Sequence, residues 1–403
     1  MAEEQQTGVM RQAIITIVVA TGVLLVLGVV MVFSATAPSA IHYARLNGTS
    51  NTFATAVSQL VYAVGGLVIG VLAAFVPMRL YERLALPIFA VGILLQLLVR
   101  TPLGHTVAGN TNWLRFGDFS VQPSEFLKLA TIVWLAAALA RLRPERIELR
   151  NLAWPAAVSA AGAIGAVLLG GDMGTAMVVA LICVGMFWLA GAPGKYFWGV
   201  AGAAVLFASV LVAAKPDRLA RVSDYLNNLF SLPDGLNPSQ SDFALWAFGS
   251  GGIGGSGLGT GAEKWPGNLA EAQNDFIFAV VGEELGMGGC LVVVAMFMLL
   301  GWGLLRICVH HPARFARLAC GGVAIWLCGQ ALANMLVVTG VLPVFGVPLP
   351  FISQGGSAVV ACLFAVGVGL SCALAVPGVR GSLRPQRNIA HRARAVLKRG
   401  SHD

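Results

Sequence analysis

Ten apolar runs divide almost the whole chain, at roughly residues 13–35, 55–76, 84–100, 124–140, 152–170, 173–191, 196–214, 276–305, 317–340 and 356–376. A helix of about 20 such residues crosses the hydrocarbon core of a bilayer. In that medium each backbone N–H and C=O must be paired internally, which leaves helices and closed barrels as the only spanning forms. None of the ten runs reads as a barrel strand. Of the 403 residues, 57% are hydrophobic and only 11% are charged, against about 25% charged in soluble domains. The sequence therefore predicts an all-α polytopic membrane protein. It has a short N-terminal segment at 1–12, ten transmembrane helices over 13–376, a large loop at 215–275 between the seventh and eighth helices, and a basic tail at 377–403. The first run follows Arg11, exceeds a signal-peptide core in length and lacks a small-residue cleavage site, so it reads as a retained helix.

Lys and Arg accumulate in cytoplasmic loops, and with the N-terminus inside, most of the 26 basic residues fall on that side. They include Arg141, Arg143, Arg146 and Arg150 and the tail cluster Arg380, Arg384, Arg387, Arg392, Arg394, Lys398 and Arg399. Most of the acids fall in outer loops or in helices entered from outside. An even number of spans returns the C-terminus to the cytoplasm, where the tail either fixes topology or meets anionic lipid or an acidic partner. The seven cysteines fall within spans or on the inner side. They imply no outer disulfide and do not cluster with His at metal-site spacing.

Four outward-facing stretches interrupt the apolar pattern: 109–117 leading to Gln122-Pro123-Ser124-Glu125-Phe126-Leu127-Lys128, Gly171-Asp172-Met173-Gly174-Thr175, the loop 215–275, and 348–357. Non-helical backbone at membrane depth survives only where protein buries it or water reaches it, so these stretches mark the working face. Pro123 suits a helix start, which puts Glu125 in the first turn and Lys128 at i+3. The two can pair and share the cost of burial, either for function or simply to hold helices together. The long loop carries Lys215, Arg218, Arg221 and Lys264 around the Gly-rich run 249–259. That composition fits close backbone approach to a phosphate ligand, a flexible connection, or glycine packing against neighbouring helices.

The segment Asn274-Asp275-Phe276-Ile277-Phe278, running on to Gly282-Glu283-Glu284-Leu285-Gly286, places carboxylates at the mouth of the eighth span and inside it. A charge in hydrocarbon costs at least about 2.5–3.5 kcal/mol, which makes such acids candidates for function. Asn274 is the expected N-cap, with Asp275 in the first helical turn, where the helix dipole favours its ionised form. Glu283 lies about 12 Å further along the axis, beyond the separation of paired glycosidase carboxylates, roughly 5–9.5 Å. Asp275 therefore reads as a single base near the surface, or as a capping charge. Glu283 and Glu284 read as deeper polar anchors.

In order along the chain, Gln122-Pro123-Ser124-Glu125, Asp172-Met173-Gly174-Thr175, the Gly-rich run, the Asn274–Gly286 segment and Leu349-Pro350-Phe351-Ile352-Ser353-Gln354-Gly355-Gly356-Ser357 resemble the shape, elongation, division and sporulation (SEDS) proteins. The likeness covers nearly the whole chain. Gly257-Leu258-Gly259, Lys264-Trp265 and Ala279–Glu284 look more like the division branch, FtsW, in its actinobacterial form, than the elongation branch, RodA. The resemblance implies a ten-helix polymerase of lipid II in the bacterial plasma membrane at the division septum. Asp275 matches the family's essential Asp, implied to assist the acceptor 4-hydroxyl in attacking C1 of the donor with inversion and release of undecaprenyl pyrophosphate. A hydroxyl nucleophile benefits from a base, and a pyrophosphate leaving group needs charge neutralisation. The candidates for that neutralisation are Arg218, Arg221 and Lys264, with a divalent cation, Mg2+ or Mn2+, left open. Glu125 and Lys128 match family positions with a structural or substrate-contacting role. The implied partners are a class B penicillin-binding protein that cross-links the product, other divisome proteins and membrane lipid, with no nucleic acid.

The chain departs from the family pattern at Ala270, Gln273 and Asn274, where Pro, His and Thr are usual, and at Gly171, where Pro is common. The 266–268 spacing is also about one residue long. Three other readings stay open: an elongation polymerase, a flippase or transporter using Glu283 and Glu284 as midplane acids, and a divisome scaffold.

Overall fold

The computed structural model describes residues 2–47, 54–107, 110–117, 119–142, 153–199, 201–202, 209 and 238–383. The helices are α1 (Ala2–Asn47), α2 (Ala54–Phe75), α3 (Met78–Arg83), α4 (Ala85–Leu98), α5 (Pro123–Ala140), α6 (Val158–Leu169), α7 (Met173–Ala190), α8 (Gln240–Gly251), α9 (Ile277–His310), α10 (Arg314–Val338), α11 (Gly356–Leu374) and α12 (Val379–Ser382). Among the described residues seven helices, α1, α2, α5, α7, α9, α10 and α11, are long and apolar enough to cross a membrane. The predicted third and fifth spans form shorter apolar helices at Ala85–Leu98 and Trp154–Leu169. The predicted seventh span begins as helix at 194–199 and lies largely outside the described residues, as do 210–237 and the tail from 384. The N-terminal segment is no separate element, because α1 runs through it from Ala2.

Every residue of α5 except Phe126 and Ala140 is buried, which makes it the central post of the bundle. Its neighbours α4, α7, α10 and α11 pack round it. Small residues set the closest crossings. A side chain at Gly367 would run into the Gly70 carbonyl, so α2 and α11 meet almost backbone to backbone. Without a hydrophobic driving force between helices in lipid, such close packing supplies van der Waals contact instead. At one end of the bundle the Arg314 guanidinium binds the carbonyls of Leu142 and Ala190, neutralising the negative ends of α5 and α7.

At the opposite end, β1 (Gly104–Val107), β2 (Asn110–Phe116) and β3 (Phe119–Val121) form a three-stranded antiparallel sheet in that order. The all-α expectation did not include it. The sheet is anchored where Thr111 N donates to Gly170 O at 3.2 Å, and β3 runs directly into α5. Pro123 at the first position of α5 leaves no amide there to satisfy. The sheet thus carries the end of β3 and Gln122 up to the N-terminus of α11, where Gln122 N donates to Ser357 Oγ at 3.3 Å.

The long loop is partly ordered helix. Ser239 caps α8 with a reciprocal capping box to Asp242, and α8 lies along α9. Helix α9 is broken at Gly286, whose φ of 65° and ψ of −165° interrupt the ladder. The Gly-rich run fills that break. Ser256 N and Gly257 N donate to Glu283 O and Glu284 O at 2.9 and 3.0 Å, and Met287 N donates to Gly252 O at 2.9 Å. Backbone groups freed by the kink are thereby paired again. A side chain at Gly251 would strike the Gly282 carbonyl, and one at Gly255 (φ 79°) the Glu284 carbonyl. Of the three readings of the glycines, packing is the one the fold uses.

Candidate functional site

Asp275 lies in the turn just ahead of α9, half-buried, and the helix begins at Ile277. The expected cap is not made: Phe276 occupies the N-cap position without a side-chain bond. The Asn274 amide instead reaches back to the Glu271 carboxylate within a tight turn in which Asn274 N donates to Glu271 O at 2.9 Å. Glu271 adopts a φ of 55° to close that turn, a conformation that costs a non-glycine residue about 1–2 kcal/mol.

A second loop, 341–355, holds this turn from the side. Ser353 Oγ donates to Asn274 O at 2.7 Å, and Gln354 N donates to Gln273 O at 2.9 Å. Asn334 Nδ2, near the end of α10, donates to Asp275 O at 2.7 Å and to Val347 O at 2.8 Å. Gly346 borders the carboxylate itself, since a Cβ placed there would lie 3.5 Å from Asp275 Oδ2. Gly174, at the start of α7, abuts the Phe345 carbonyl with no room for a side chain. Asp172 caps α7, its carboxylate accepting from Thr175 N at 2.8 Å, Thr175 Oγ1 at 2.7 Å and Gln122 Nε2 at 3.1 Å. Residues from four of the five sequence motifs therefore converge on one corner. Burial, then the charges of Glu271 and Asp172, push the Asp275 carboxyl up to about 6. At neutral pH it is mostly ionised yet far more basic than a free aspartate, as a general base requires.

Glu125 and Lys128 pair as expected, at 2.9 Å, and both are almost wholly enclosed. Lys128 Nζ also donates to Gln330 Oε1 at 3.0 Å and lies 4.8 Å from the Trp326 ring centroid. Trp326 Nε1 donates to the same Gln330 oxygen at 2.9 Å, while Gln330 Nε2 donates to Pro348 O at 2.8 Å. The pair is thus linked through one glutamine to the loop that borders Asp275.

Lys264 is placed differently from the expectation that it neutralises a leaving group. It is 3% exposed, and its ammonium binds the Glu284 carboxylate and Ser34 Oγ of α1, the latter at 2.8 Å. Ser34 Oγ also lies 2.7 Å from Glu284 Oε2. A cation so matched is a structural ion pair; its charge is spent within the fold. Glu283 Oε1 accepts from Ala262 N and Glu263 N at 2.6 and 3.2 Å, so both glutamates act as the polar anchors the sequence suggested. Arg218 and Arg221 lie outside the described residues.

A divalent cation finds no ready cage. Among the described residues no three His, Cys, Asp or Glu side chains converge at ligand distance. The Asp172 oxygens already accept three hydrogen bonds, and Glu271 is bonded to Asn274. The residues present around Asp275 do not fit a protein-built metal site.

Gln330, Asn334 and the charge contribution of Glu271 were not singled out from the sequence. Gln330 and Asn334 stand at i and i+4 in an otherwise apolar run, and that spacing puts two amides on one helix face. It was the available signal.

Comparison with known proteins places this arrangement. The probable peptidoglycan glycosyltransferase FtsW of Mycobacterium tuberculosis is 34% identical over 374 residues, covering 92% of this chain and 70% of that protein. The corresponding protein of Trichlorobacter lovleyi is 36% identical over 315 residues, 78% of this chain and 82% of its own length. Among solved structures, a chain of a peptidoglycan synthase complex that coordinates polymerization and crosslinking superposes with a TM-score of 0.72 at 26% identity, over 90% of this chain and 98% of that one. The rod shape determining protein RodA of Thermus thermophilus superposes with a TM-score of 0.65 at 25% identity, over 90% and 96% of the two chains. The cell cycle protein family FtsW/RodA/SpoVE matches residues 14–375, and the chain belongs to that family, as a multi-pass membrane protein.

Proposed function

We propose that this protein is a peptidoglycan glycosyltransferase that polymerises lipid II into glycan strands, and that it serves septal wall synthesis in cell division. The observation that carries the reading is the Asp275 corner: a half-buried carboxyl raised to about 6, set just before a membrane-spanning helix, where the sugar of a lipid-linked substrate meets the bilayer surface. The acceptor 4-hydroxyl gives its proton to Asp275 as its oxygen bonds to C1 of the donor. Undecaprenyl pyrophosphate departs with the bonding pair, and attack from the opposite face inverts the anomeric centre. With Lys264 matched to Glu284, Arg218 and Arg221 remain the side chains assigned to the leaving pyrophosphate, and no step is routed through a cation.

In this reading both termini are cytoplasmic and the Asp275 end faces outward. The relatives named FtsW favour the division branch, and the solved complex, which couples polymerization to crosslinking, supports a cross-linking partner; we assign that role to a class B penicillin-binding protein, with other divisome proteins alongside. Coupled transport loses one of its two acids, because Glu284 is paired with Lys264, while Glu283 binds the amides of Ala262 and Glu263 through one oxygen. The test is polymerisation of purified lipid II by the protein with its cognate transpeptidase, comparing the parent with Asp275→Asn at matched folding. Glycan product from the parent alone is expected; equal product from both would sink the base assignment.

A further inference from the structure

We infer that Asn334 is a positioning residue for the reaction, fixing the backbone of Asp275 against loop 341–355, with Gln330 one turn earlier as its second fastening. The inference rests on the glycosyltransferase reading above. Asn334 is 1% exposed, and both atoms its Nδ2 reaches, Asp275 O at 2.7 Å and Val347 O at 2.8 Å, are carbonyl oxygens. Two acceptors on one terminal atom leave no choice of amide orientation, since the flipped side chain would set oxygen against oxygen. The amide spans two segments that no regular secondary structure joins; besides it, the turn is tied to the loop by the main-chain bond from Gln354 N to Gln273 O and by Ser353 Oγ, and Asn334 makes the bond to Asp275 itself.

Gln330 repeats the device. Its Nε2 holds Pro348 O at 2.8 Å while its Oε1 receives Lys128 and Trp326. Two neighbouring carbonyls of the loop, those of Val347 and Pro348, are therefore gripped by amides four residues apart on α10. That helix is packed against α5, α7 and α9, so the fastening ties to the body of the bundle a turn closed only by its own local bonds. Rigidity of this kind matters because misplacing a catalytic group by about 1 Å can cost about 100-fold in rate. The side chain of Asp275 is left free of Asn334, whose bond is to the main chain. Its role is therefore geometric, and neither amide need touch substrate.

The experiment uses the full-length protein with its cognate transpeptidase and purified lipid II. Asn334→Asp keeps the volume but turns the donor into a carboxylate facing two carbonyl oxygens, Asn334→Ala removes the amide without adding charge and so separates the lost bond from the added charge, and Gln330→Glu tests the second fastening. The expected result for Asn334→Asp is a fall of about 10- to 100-fold in kcat with KM for lipid II changed less than about twofold. Amide hydrogen exchange should quicken in peptides covering 271–278 and 345–355 and stay unchanged in the body of α10. Gln330→Glu should quicken 345–355 alone.

A rise in KM with parent-like kcat would reassign Asn334 to substrate contact and overturn the inference, as would parent-like exchange in both peptides. Exchange accelerated throughout α10 would mean a general packing role and also overturn it. Failure of the underlying reading shows separately, as activity in Asp275→Asn or none in the parent. If Asp275→Asn is inactive while Asn334→Asp matches the parent, only the inference fails.

Discussion

Two groups of acids lie on or beside α9, and they are built on opposite principles. At Glu284 the negative charge is buried and matched, by the ammonium of Lys264 and the hydroxyl of Ser34. At Asp275 it is half-exposed and joined by two like charges, Glu271 and Asp172, that raise it further. The carboxylate buried against an ammonium is a structural anchor, and the half-buried one whose carboxyl is raised by burial and by neighbouring acids is the candidate for chemistry.

The largest expected effect separates the two groups by readout. Asp275→Asn should reduce lipid II polymerisation by about 100- to 10,000-fold, the range lost with a general base, and leave the protein folded in detergent. Lys264→Met should do the reverse in kind, destabilising by about 3–5 kcal/mol because Glu284 is left buried and unpaired. The double change Lys264→Met with Glu284→Leu should recover most of that loss, as read by thermal unfolding. A parent-like melting temperature for Lys264→Met alone would show that the pair is not the anchor described.

A smaller effect is expected from the glycine strap. Gly255→Ala places a side chain at a φ of 79° against the Glu284 carbonyl; the backbone strain alone is about 1–3 kcal/mol. The melting temperature should fall with little change in the activity of the folded fraction. The pH dependence then sharpens the comparison. Because the Asp275 carboxyl is raised to about 6, polymerisation should decline as pH falls through that value and its base becomes protonated. An acid limb centred near about 4, the usual aspartate range, would remove the special environment from Asp275.

The same carboxyl also bears on stability. A carboxyl raised on folding stabilises the native state below its unfolded value, near about 4, and that contribution is lost as pH rises through about 6. At pH 8 the ionised Asp275 therefore weighs against folding, and Asp275→Asn should melt higher than the parent. At pH 4 the difference should vanish.

Much of this contrast was legible in the chain. Asp275, Glu283, Glu284 and the Glu125–Lys128 spacing are local features, and an acid in an apolar run stands out wherever it occurs. What was hidden depends on distance along the chain. The partner of Lys264 includes Ser34, 230 residues away, and no spacing rule reaches that far. The sheet of β1, β2 and β3 was missed because its strands are short and sit between spans that dominate any hydropathy reading. The cap at Asn274 failed for a local reason of a different sort: the helix begins at Ile277 with Phe276 at the N-cap position, which leaves Asn274 two residues ahead of it. The role of the Gly-rich run could not be chosen from composition, since packing, flexibility and phosphate binding all draw on glycine. Only the kink at Gly286, which frees the carbonyls of Glu283 and Glu284 for the run to bind, decides among them.

That kink has a mechanical consequence. It divides α9 into an upper rod of about 13 Å from Ile277 to Leu285 and a longer lower rod ending at His310, spliced by hydrogen bonds to the 252–257 strap. Lipid presses mainly on the lower rod, where Met287, Leu291, Met298, Trp302 and Val309 are exposed. A bilayer that thickens or thins tilts a continuous helix along its whole length. A spliced one has a joint at which that tilt can be taken up, between the lower rod and the Asp275 corner.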